Sequence, residues 1–531
     1  MTASDATMKR SFFAAWAAAF ALTPSVSFAH GFGQRYDLPL PLSYYLVGSG
    51  LVVGLSFVLL IATARGSSRQ PPRAVWHREF DLARLPGRLT GSALALVRLI
   101  GLIALLLVIV AGLFGEQSPI RNFAPSLVWV LTWVGLAFIC ALCVNAWLFL
   151  NPWHTLYDWG ARLLGAIGLA RPRSARLDYP DWLGAWPAVL FFWCFAWTEL
   201  AWSGGQVPAN LAWLALGYSG ITLAGMAAFG PAIWLERAEF FTIFFGYLGR
   251  FAPLGLRPKI TDGGRSASPP AAAQGVIALD SDATGHVLML RPFGAGLVPS
   301  STCSVSTSTF IILMLSTVTF DGLMETPFWV AILDTTLSTE FLAPALFALR
   351  DMFGDVRDGL KTVALIVFPA LAFGIFYTVN ALMQQVSRRR ARTAAPAAGP
   401  PISSMELVGW FALSLLPIAI GYHFAHYLSF LLIAGQLSIS LISDPLGLGW
   451  DLFGTAGYRI DIGVINARIT WYVALVSIIL GHMIAVFLAH VTAIRVFRDR
   501  AIAATSELPM IALMVGYTSL SMWILAQPIV E

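Results

Sequence analysis

Long apolar segments alternate with short polar connections along the whole chain. Ten segments are apolar and close to the roughly 20 residues that a helix needs to cross a bilayer. They cover residues 43–63, 91–114, 126–150, 185–203, 208–232, 305–323, 362–384, 406–433, 470–493 and 508–527. In a membrane only helices and closed barrels satisfy their backbone polar groups. The pattern therefore predicts an all-α fold, a polytopic helical bundle with about ten transmembrane helices.

The amino-terminal residues that precede these segments have the pattern of a secretory signal peptide. Met8-Lys9-Arg10 comes before an apolar run from Phe12 to Leu22, and Ser27-Phe28-Ala29 offers small residues for cleavage. Residues 1–29 are predicted to be removed, with an uncleaved anchor as the alternative. Removal would leave His30 as the new amino terminus, where an α-amine and an imidazole together can bind copper or zinc. Alternatively, His30 only begins a periplasmic segment.

The connecting loops alternate in charge. Arginine and lysine are concentrated in loops 64–90, 151–184, 233–304 and 385–405, whereas the opposite loops carry aspartate and glutamate. Positively charged loops stay in the cytoplasm, so we predict a multi-pass protein of the bacterial inner membrane with a periplasmic mature amino terminus. The net charge of +5 follows from this topology, and no nucleic acid partner is predicted.

The chain is predicted to consist of two transmembrane halves joined by a linker. Residues 30–256 form a first transmembrane half of about five spans, 257–304 a cytoplasmic linker, and 305–531 a second half of about five spans. The aromatic segment 239–256 is interrupted by glycine, arginine and proline, which predicts an interfacial helix. Segment 327–349 is apolar yet acidic, which predicts a re-entrant hairpin or an amphipathic periplasmic helix. With no soluble catalytic domain in view, any chemistry must come from the spans and periplasmic loops.

Intramembrane histidines are the first candidates for that chemistry, because ionisable side chains in spans usually serve a function. His423 and His426 lie one helical turn apart in Gly421-Tyr422-His423-Phe424-Ala425-His426-Tyr427. His482 lies at a similar depth in the next span. Three imidazoles with an open fourth position suit a catalytic divalent metal, zinc above all. The alternative is that each histidine is a buried polar group bonded to a neighbouring helix.

Carboxylates near the predicted periplasmic side are candidate partners of these histidines. Glu199, Asp321 and Glu325 each lie near the end of a span, and Glu199 and Asp321 are the two predicted catalytic carboxylates. Either can complete a metal shell, orient a histidine or act as a general base on water. The alternative is an ordinary interfacial charge. Four further histidines lie nearer the predicted cytoplasmic side and are left out of the site: His77, His154, His286 and His490.

Three short stretches resemble a known family. His30 to Pro39, Asn151-Pro152-Trp153 and Phe320 to Trp329 are similar to the bacterial membrane proteins called fenitrothion hydrolases. The resemblance implies an inner-membrane organophosphorus hydrolase that cleaves the aryl ester bond of phosphorothioate triesters. It also implies that this chain is the larger subunit, with a smaller membrane partner.

The chemistry implied by this resemblance is compatible with the residues. A divalent metal such as zinc acidifies bound water and polarises a phosphoryl group, and a neutral, lipid-soluble triester needs no arginine cluster. No Gly-x-Ser-x-Gly motif is present, which argues against an α/β-hydrolase. Two other hypotheses stay open: a transporter or metal-handling protein that uses the same histidines, and an accessory subunit. The lack of a visible inverted repeat disfavours transport.

Overall fold

The computed structural model describes residues 41–64, 78–81, 87–168, 177–258, 286–394 and 402–527. Within these ranges the chain is mostly helical, and ten helices are long and apolar enough to cross a membrane. The prediction of an all-α, multi-pass membrane bundle is confirmed. The predicted signal peptide and His30 lie outside the described residues.

The first half contains nine helices in the described ranges. They are α1 Leu42–Ala64, α2 Gly87–Phe114, α3 Phe123–Leu142, α4 Trp147–Leu150, α5 Pro152–Ala166, α6 Trp186–Leu200, α7 Pro208–Phe229, α8 Pro231–Arg237 and α9 Phe240–Phe251. The middle of α3, Ser126–Gly135, is π-helical. Its wider turns accompany the burial of both Trp129 and Trp133, four residues apart, in the core.

The second half contains ten helices in the described ranges. They are α10 Val305–Met324, α11 Pro327–Ser338, α12 Ala343–Phe353, α13 Val356–Ala394, α14 Ser404–Phe411, α15 Leu416–Ala434, α16 Leu437–Leu441, α17 Ala467–Phe497, α18 Arg500–Ser506 and α19 Leu508–Leu525. A 3-10 turn, Ala412–Leu415, continues α14 into α15, so that Ser404–Ala434 forms a single apolar span.

The centre of the bundle is formed by α10 and by α14 with α15. In the most apolar part of α10, 78% of the residues are buried inside the protein, and in that of Ser404–Ala434 89% are buried. The corresponding share in α2 is 17%. Glycines let α17 approach α15 closely. A Cβ atom on Gly421 would lie 2.5 Å from Ser477 O, and one on Gly481 would lie 2.5 Å from Pro417 O. The side chains of α10 and α15 therefore face protein rather than lipid.

Three short strands lie in segments that the sequence predicted as loops or linker. They are β1 Arg78–Asp81, β2 Leu254–Pro258 and β3 His286–Leu290, which pair antiparallel in the order β1-β3-β2. Strands of four or five residues are too short for a clear alternating pattern. The sheet joins the loop after α1 to the linker between the two halves.

Two other segments sharpen or correct the sequence analysis. The segment 239–256, predicted as an interfacial helix, forms the short helix α9, in which ten of the twelve residues are buried within the protein. Phe244 of α9 packs 4.8 Å from Trp133 between ring centroids. The acidic segment 327–349 forms two helices, α11 and α12, which meet at a bend of 73°. This bend agrees with a re-entrant or broken span rather than a single amphipathic helix.

Candidate functional site

The last turn of α10 holds the more buried of the two predicted carboxylates. Asp321 is 4% exposed, and nearby hydroxyl groups of α10 bond back to their own helix, as Thr319 does to Leu315 O at 2.8 Å. The carboxylate lies at the negative end of the helix dipole, which disfavours it. A buried charge in this position needs donors from other helices, and its presence inside a span indicates a function.

Two donors come from adjacent residues of α15. His426 Nε2 lies 3.0 Å from Asp321 Oδ2, and the Tyr427 hydroxyl donates to the same oxygen at 2.5 Å. The side chains of His426 and Asp321 are 6% and 5% exposed, so bulk water screens their interaction little. These three residues are called the Asp321 cluster below.

Glu325 lies one turn beyond Asp321, just after the end of the α10 span. Burial raises the pKa of Glu325 to about 7; the imidazole of His426, when it is protonated, opposes the rise, and Asp321 adds to it. A carboxyl group that titrates near neutral pH can exchange protons under physiological conditions. Glu325 therefore adds a second acid to the Asp321 cluster.

Glu199 lies at the end of α6, on the side of the same cluster. Its carboxylate interacts electrostatically with Asp321 and with Tyr427, and Trp133 of α3 lies beside both Glu199 and Tyr427. Lys361 of α13 also interacts with Asp321. Side chains from four other spans, α3, α6, α13 and α15, thus lie around this carboxylate.

His423 lies in an aromatic enclosure next to the cluster. Its ring centroid is 4.6 Å from that of Tyr427, 5.8 Å from Phe138 and 5.9 Å from Trp133. It interacts electrostatically with both His426 and Asp321. His423 and His426, one helical turn apart, therefore belong to one site, but of the two only His426 has a hydrogen bond to Asp321 in the described part of the chain.

His482 of α17 lies one layer away. Its Nδ1 is 2.9 Å from Ile478 O in its own helix, and its ring centroid is 5.9 Å from that of Tyr517. The Tyr517 hydroxyl in turn bonds to Thr319 of α10, two residues before Asp321. His482 therefore packs against the ring of Tyr517, and Tyr517 in turn contacts α10 close to Asp321.

Several buried polar atoms around the cluster lack a hydrogen-bond partner within the described part of the chain. They are Tyr422 Oη, His423 Nε2 and His482 Nε2. Buried polar groups are nearly always hydrogen-bonded, to protein or to ordered water. These three atoms therefore indicate that water or a polar ligand completes the site.

The predicted metal-binding set is not assembled in the described ranges. There, no three histidine, cysteine, aspartate or glutamate side chains lie close enough together to hold a metal ion. His426 uses Nε2 for Asp321, His482 uses Nδ1 for a backbone carbonyl, and His30 lies outside the described residues. The donors as arranged do not fit a three-histidine zinc site, and a metal stays a prediction.

Three functional candidates were missed by the sequence analysis: Tyr427, Tyr422 and Lys361. Tyr427 lies in the histidine-rich stretch, but a tyrosine in an apolar span is usually interpreted as a residue of the hydrophobic core. Tyr422 is placed by Gly322, since a Cβ atom there would overlap the Tyr422 hydroxyl. Lys361 is a cation at the edge of an apolar run, and this feature of the sequence could have identified it as a candidate.

A second buried histidine–carboxylate pair lies nearer the other end of α17. His490 Nδ1 is 3.1 Å from Glu507 Oε2, with side chains 8% and 0% exposed. The ring of Phe57 packs edge-on to His490 at 6.3 Å. This pair offers an internal comparison for the Asp321 cluster.

Comparison with known proteins adds no assignment. No family model matches the chain, and neither a curated protein nor a solved structure is significantly similar to it.

Proposed function

We propose that this protein is a membrane-embedded hydrolase that cleaves the aryl ester bond of neutral phosphorothioate triesters such as fenitrothion. His426 is the general base and Asp321 orients it. The observation that carries the proposal is the buried hydrogen bond between these two side chains. A histidine whose proton is fixed on one nitrogen by a carboxylate presents the other nitrogen as a proton acceptor.

Asp321 determines which nitrogen of His426 acts as the base. Because a carboxylate oxygen only accepts, Nε2 carries the proton in the 3.0 Å contact, and Nδ1 is the acceptor nitrogen of the neutral ring. When Nδ1 takes a proton, the negative charge of Asp321 stabilises the resulting imidazolium. Tyr427 donates to the same carboxylate oxygen and holds it in place.

In the proposed step, a water oxygen attacks phosphorus while His426 takes one of the water protons. A new phosphorus–oxygen bond forms, and the bond from phosphorus to the aryl oxygen breaks. The nitrophenolate leaves with the bonding electron pair, and the proton passes from His426 to the phenolate or to solvent. The nitro group delocalises the phenolate charge, so its departure needs little acid assistance.

The surroundings favour a neutral, apolar substrate. The carboxylate of Asp321 supplies negative charge, which repels anionic esters but not a neutral triester. The helices α11 and α12 follow directly after α10; the turn between them exposes Phe341, at 89%, and α12 exposes Phe347, at 58%. Such apolar exposure suits contact with lipid, from which a dissolved substrate would enter.

The cellular setting is part of the same proposal. It comprises the bacterial inner membrane, a periplasmic mature amino terminus and a smaller membrane subunit as partner. The predicted zinc is left out of the mechanism because its donors do not fit within the described ranges. Metal analysis of the purified complex tests that prediction separately.

The test is the release of p-nitrocresol from fenitrothion by the protein in native membranes and after reconstitution. We expect His426→Ala and Asp321→Asn to abolish turnover. His490→Ala is the matched control, because it also removes a buried histidine that is bonded to a carboxylate. Equal turnover in His426→Ala and the unmodified protein would overturn the proposal.

Proton-coupled transport is the second candidate, and the His490–Glu507 pair favours it. His482 and His490 lie about 12 Å apart along α17, so ionisable groups recur along one helix between the Asp321 cluster and Glu507. Chains of such groups form proton relays in transporters. Transport predicts substrate-driven acidification of vesicles without p-nitrocresol, and a loss of this signal in His490→Ala.

A further inference from the structure

Lys361 differs from nearly all other basic residues of this chain. Of the 33 lysines and arginines, three are lysines, namely Lys9, Lys259 and Lys361, and Lys361 is the one that lies in the described ranges. It belongs to the span of α13, where a charged side chain indicates a function. Lysine presents a compact point charge with three rotatable donors, which suits a single negatively charged atom.

The packing of α13 against α10 places Lys361 beside the Asp321 cluster. Phe320, the residue before Asp321, packs with Leu365 and Phe368 of α13, and the ring centroids of Phe320 and Phe368 lie 5.7 Å apart. Lys361 lies one turn before Leu365 on the same face of α13. It is therefore close to the last turn of α10.

Hydrogen bonds to α6 and to the segment after it fix the level of Lys361. Thr362 Oγ1 accepts from Trp197 Nε1 at 2.8 Å, and Asp358 Oδ2 accepts from the Ser203 backbone N–H at 2.9 Å. Trp197 and Ser203 lie on either side, along the chain, of the α6 carboxylate that faces the Asp321 cluster. Lys361 thus lies at the depth of the cluster.

The ammonium group of Lys361 has neighbours of opposite charge but no direct partner. It interacts electrostatically with Asp358 and Asp321, yet within the described part of the chain no hydrogen bond or ion pair engages its Nζ atom. Asp358 accepts from a backbone N–H, and Asp321 is bonded to His426 and Tyr427. A half-buried ammonium group in this position keeps its donors for another acceptor.

We propose that Lys361 is a further catalytic residue, whose ammonium group donates to the non-bridging oxygen or sulfur on the phosphorus of the substrate. This role rests on the hydrolysis proposed above and supplies the group that stabilises its transition state. When water adds to phosphorus and His426 takes the proton, negative charge develops on that non-bridging atom. A fixed cation in a site shielded from water stabilises such charge, and Lys361 keeps its own proton throughout.

This role predicts a difference between two closely related substrates. Sulfur is a weaker hydrogen-bond acceptor than oxygen, so the Lys361 ammonium group stabilises a charge that develops on oxygen more than one on sulfur. Hydrolysis of the P=O analogue of fenitrothion should therefore depend on Lys361 more strongly than hydrolysis of fenitrothion itself. A merely structural role would affect both substrates equally, because they differ in one atom.

The experiment measures kcat/KM for fenitrothion and for its P=O analogue with the full-length protein in lipid vesicles. Lys361→Met removes the charge but keeps an unbranched side chain. We expect kcat/KM for the P=O analogue to fall about 10²-fold or more, the usual loss when one oxyanion donor is removed. For fenitrothion the fall should be about tenfold smaller, because a weaker hydrogen bond is lost. The ratio of the two values does not depend on the fraction of protein that folds.

Arg357→Met is the matched control, because it removes an exposed cation from the same helix one turn away. Both kcat/KM values and their ratio should stay unchanged in this variant. Equal losses for the two substrates in Lys361→Met, no loss, or the same change of ratio in Arg357→Met would overturn the role of Lys361 while hydrolysis itself stands. If the unmodified protein hydrolyses neither substrate, the proposed function fails, and the role of Lys361 fails with it.

Discussion

The two ends of α10 carry opposite charges, and both oppose the helix dipole. Asp321 and Glu325 lie at the carboxyl-terminal end, where a helix already presents negative partial charge, and Arg250 faces the amino-terminal end, where it presents positive charge. A charge placed against the dipole costs stability unless a counter-charge accompanies it. Each end is therefore expected to recruit a partner of opposite sign.

The two ends differ in where that partner comes from. At the acidic end, His426 and Tyr427 of the same chain donate to Asp321, which leaves a preorganised acid–base pair. At the basic end, Arg250 lines an open cavity together with Glu236 and the Arg237–Asp181 ion pair. The comparison teaches that one end of the helix places its charge among buried hydrogen bonds, whereas the other end places its charge at a cavity that holds both acidic and basic side chains.

The largest effect is expected from removing the base at the acidic end. His426→Ala and Asp321→Asn should each lower fenitrothion turnover by about 10²- to 10⁴-fold, the usual contribution of general base catalysis. His490→Ala should keep its turnover, because the partner of His490 is Glu507 rather than Asp321. Turnover assays on matched preparations check both expectations, and a parallel loss in His490→Ala would break the comparison.

A smaller loss is expected from removing the second donor to Asp321. Tyr427→Phe keeps the ring but deletes the 2.5 Å hydrogen bond. Hydrogen bonds to charged groups contribute about 1.5–3 kcal/mol, so turnover should fall about tenfold or more. Tyr458→Phe, which removes an exposed hydroxyl bonded to Gln436, is the control and should retain full turnover.

The packing that positions His426 can be tested without touching the site. Gly421→Ala would place a Cβ atom 2.5 Å from Ser477 O, so α15 and α17 must separate, at a cost of about 1–3 kcal/mol. We expect a lower thermal unfolding midpoint and reduced turnover. Gly374→Ala in α13 is the control, because a Cβ atom there meets nothing within 4 Å, and it should not lower the midpoint. Equal unfolding midpoints for the two variants would contradict the close contact between α15 and α17.

The smallest effect is a pH dependence from Glu325. Its pKa is raised from 4.5 to about 7, so between these values the unfolded chain releases a proton that the folded protein keeps. The free energy of unfolding should therefore fall as pH rises from 4.5 to 7. Glu325→Gln should flatten this part of the curve of unfolding midpoint against pH, and an unchanged slope would show that Glu325 does not titrate there.

The sequence was sufficient for the fold and for part of the site. Long apolar runs predict spans regardless of how helices rotate, so the ten spans were found, and Asp321 and His426 were detectable as ionisable residues within them. The relation of His482 to the other histidines was not predictable, because equal depth does not determine which face of α17 meets α15. The burial of α9 was missed because glycine and arginine interrupt its aromatic run, as they do in helices at an interface.

The most direct test of the central claim is p-nitrocresol release by reconstituted protein in vesicles that contain a trapped pH dye, with fenitrothion as substrate. The account predicts p-nitrocresol from the unmodified protein and from His490→Ala, and none above background from His426→Ala. Acidification of the vesicle interior without p-nitrocresol, abolished by His490→Ala, would contradict it and identify a transporter.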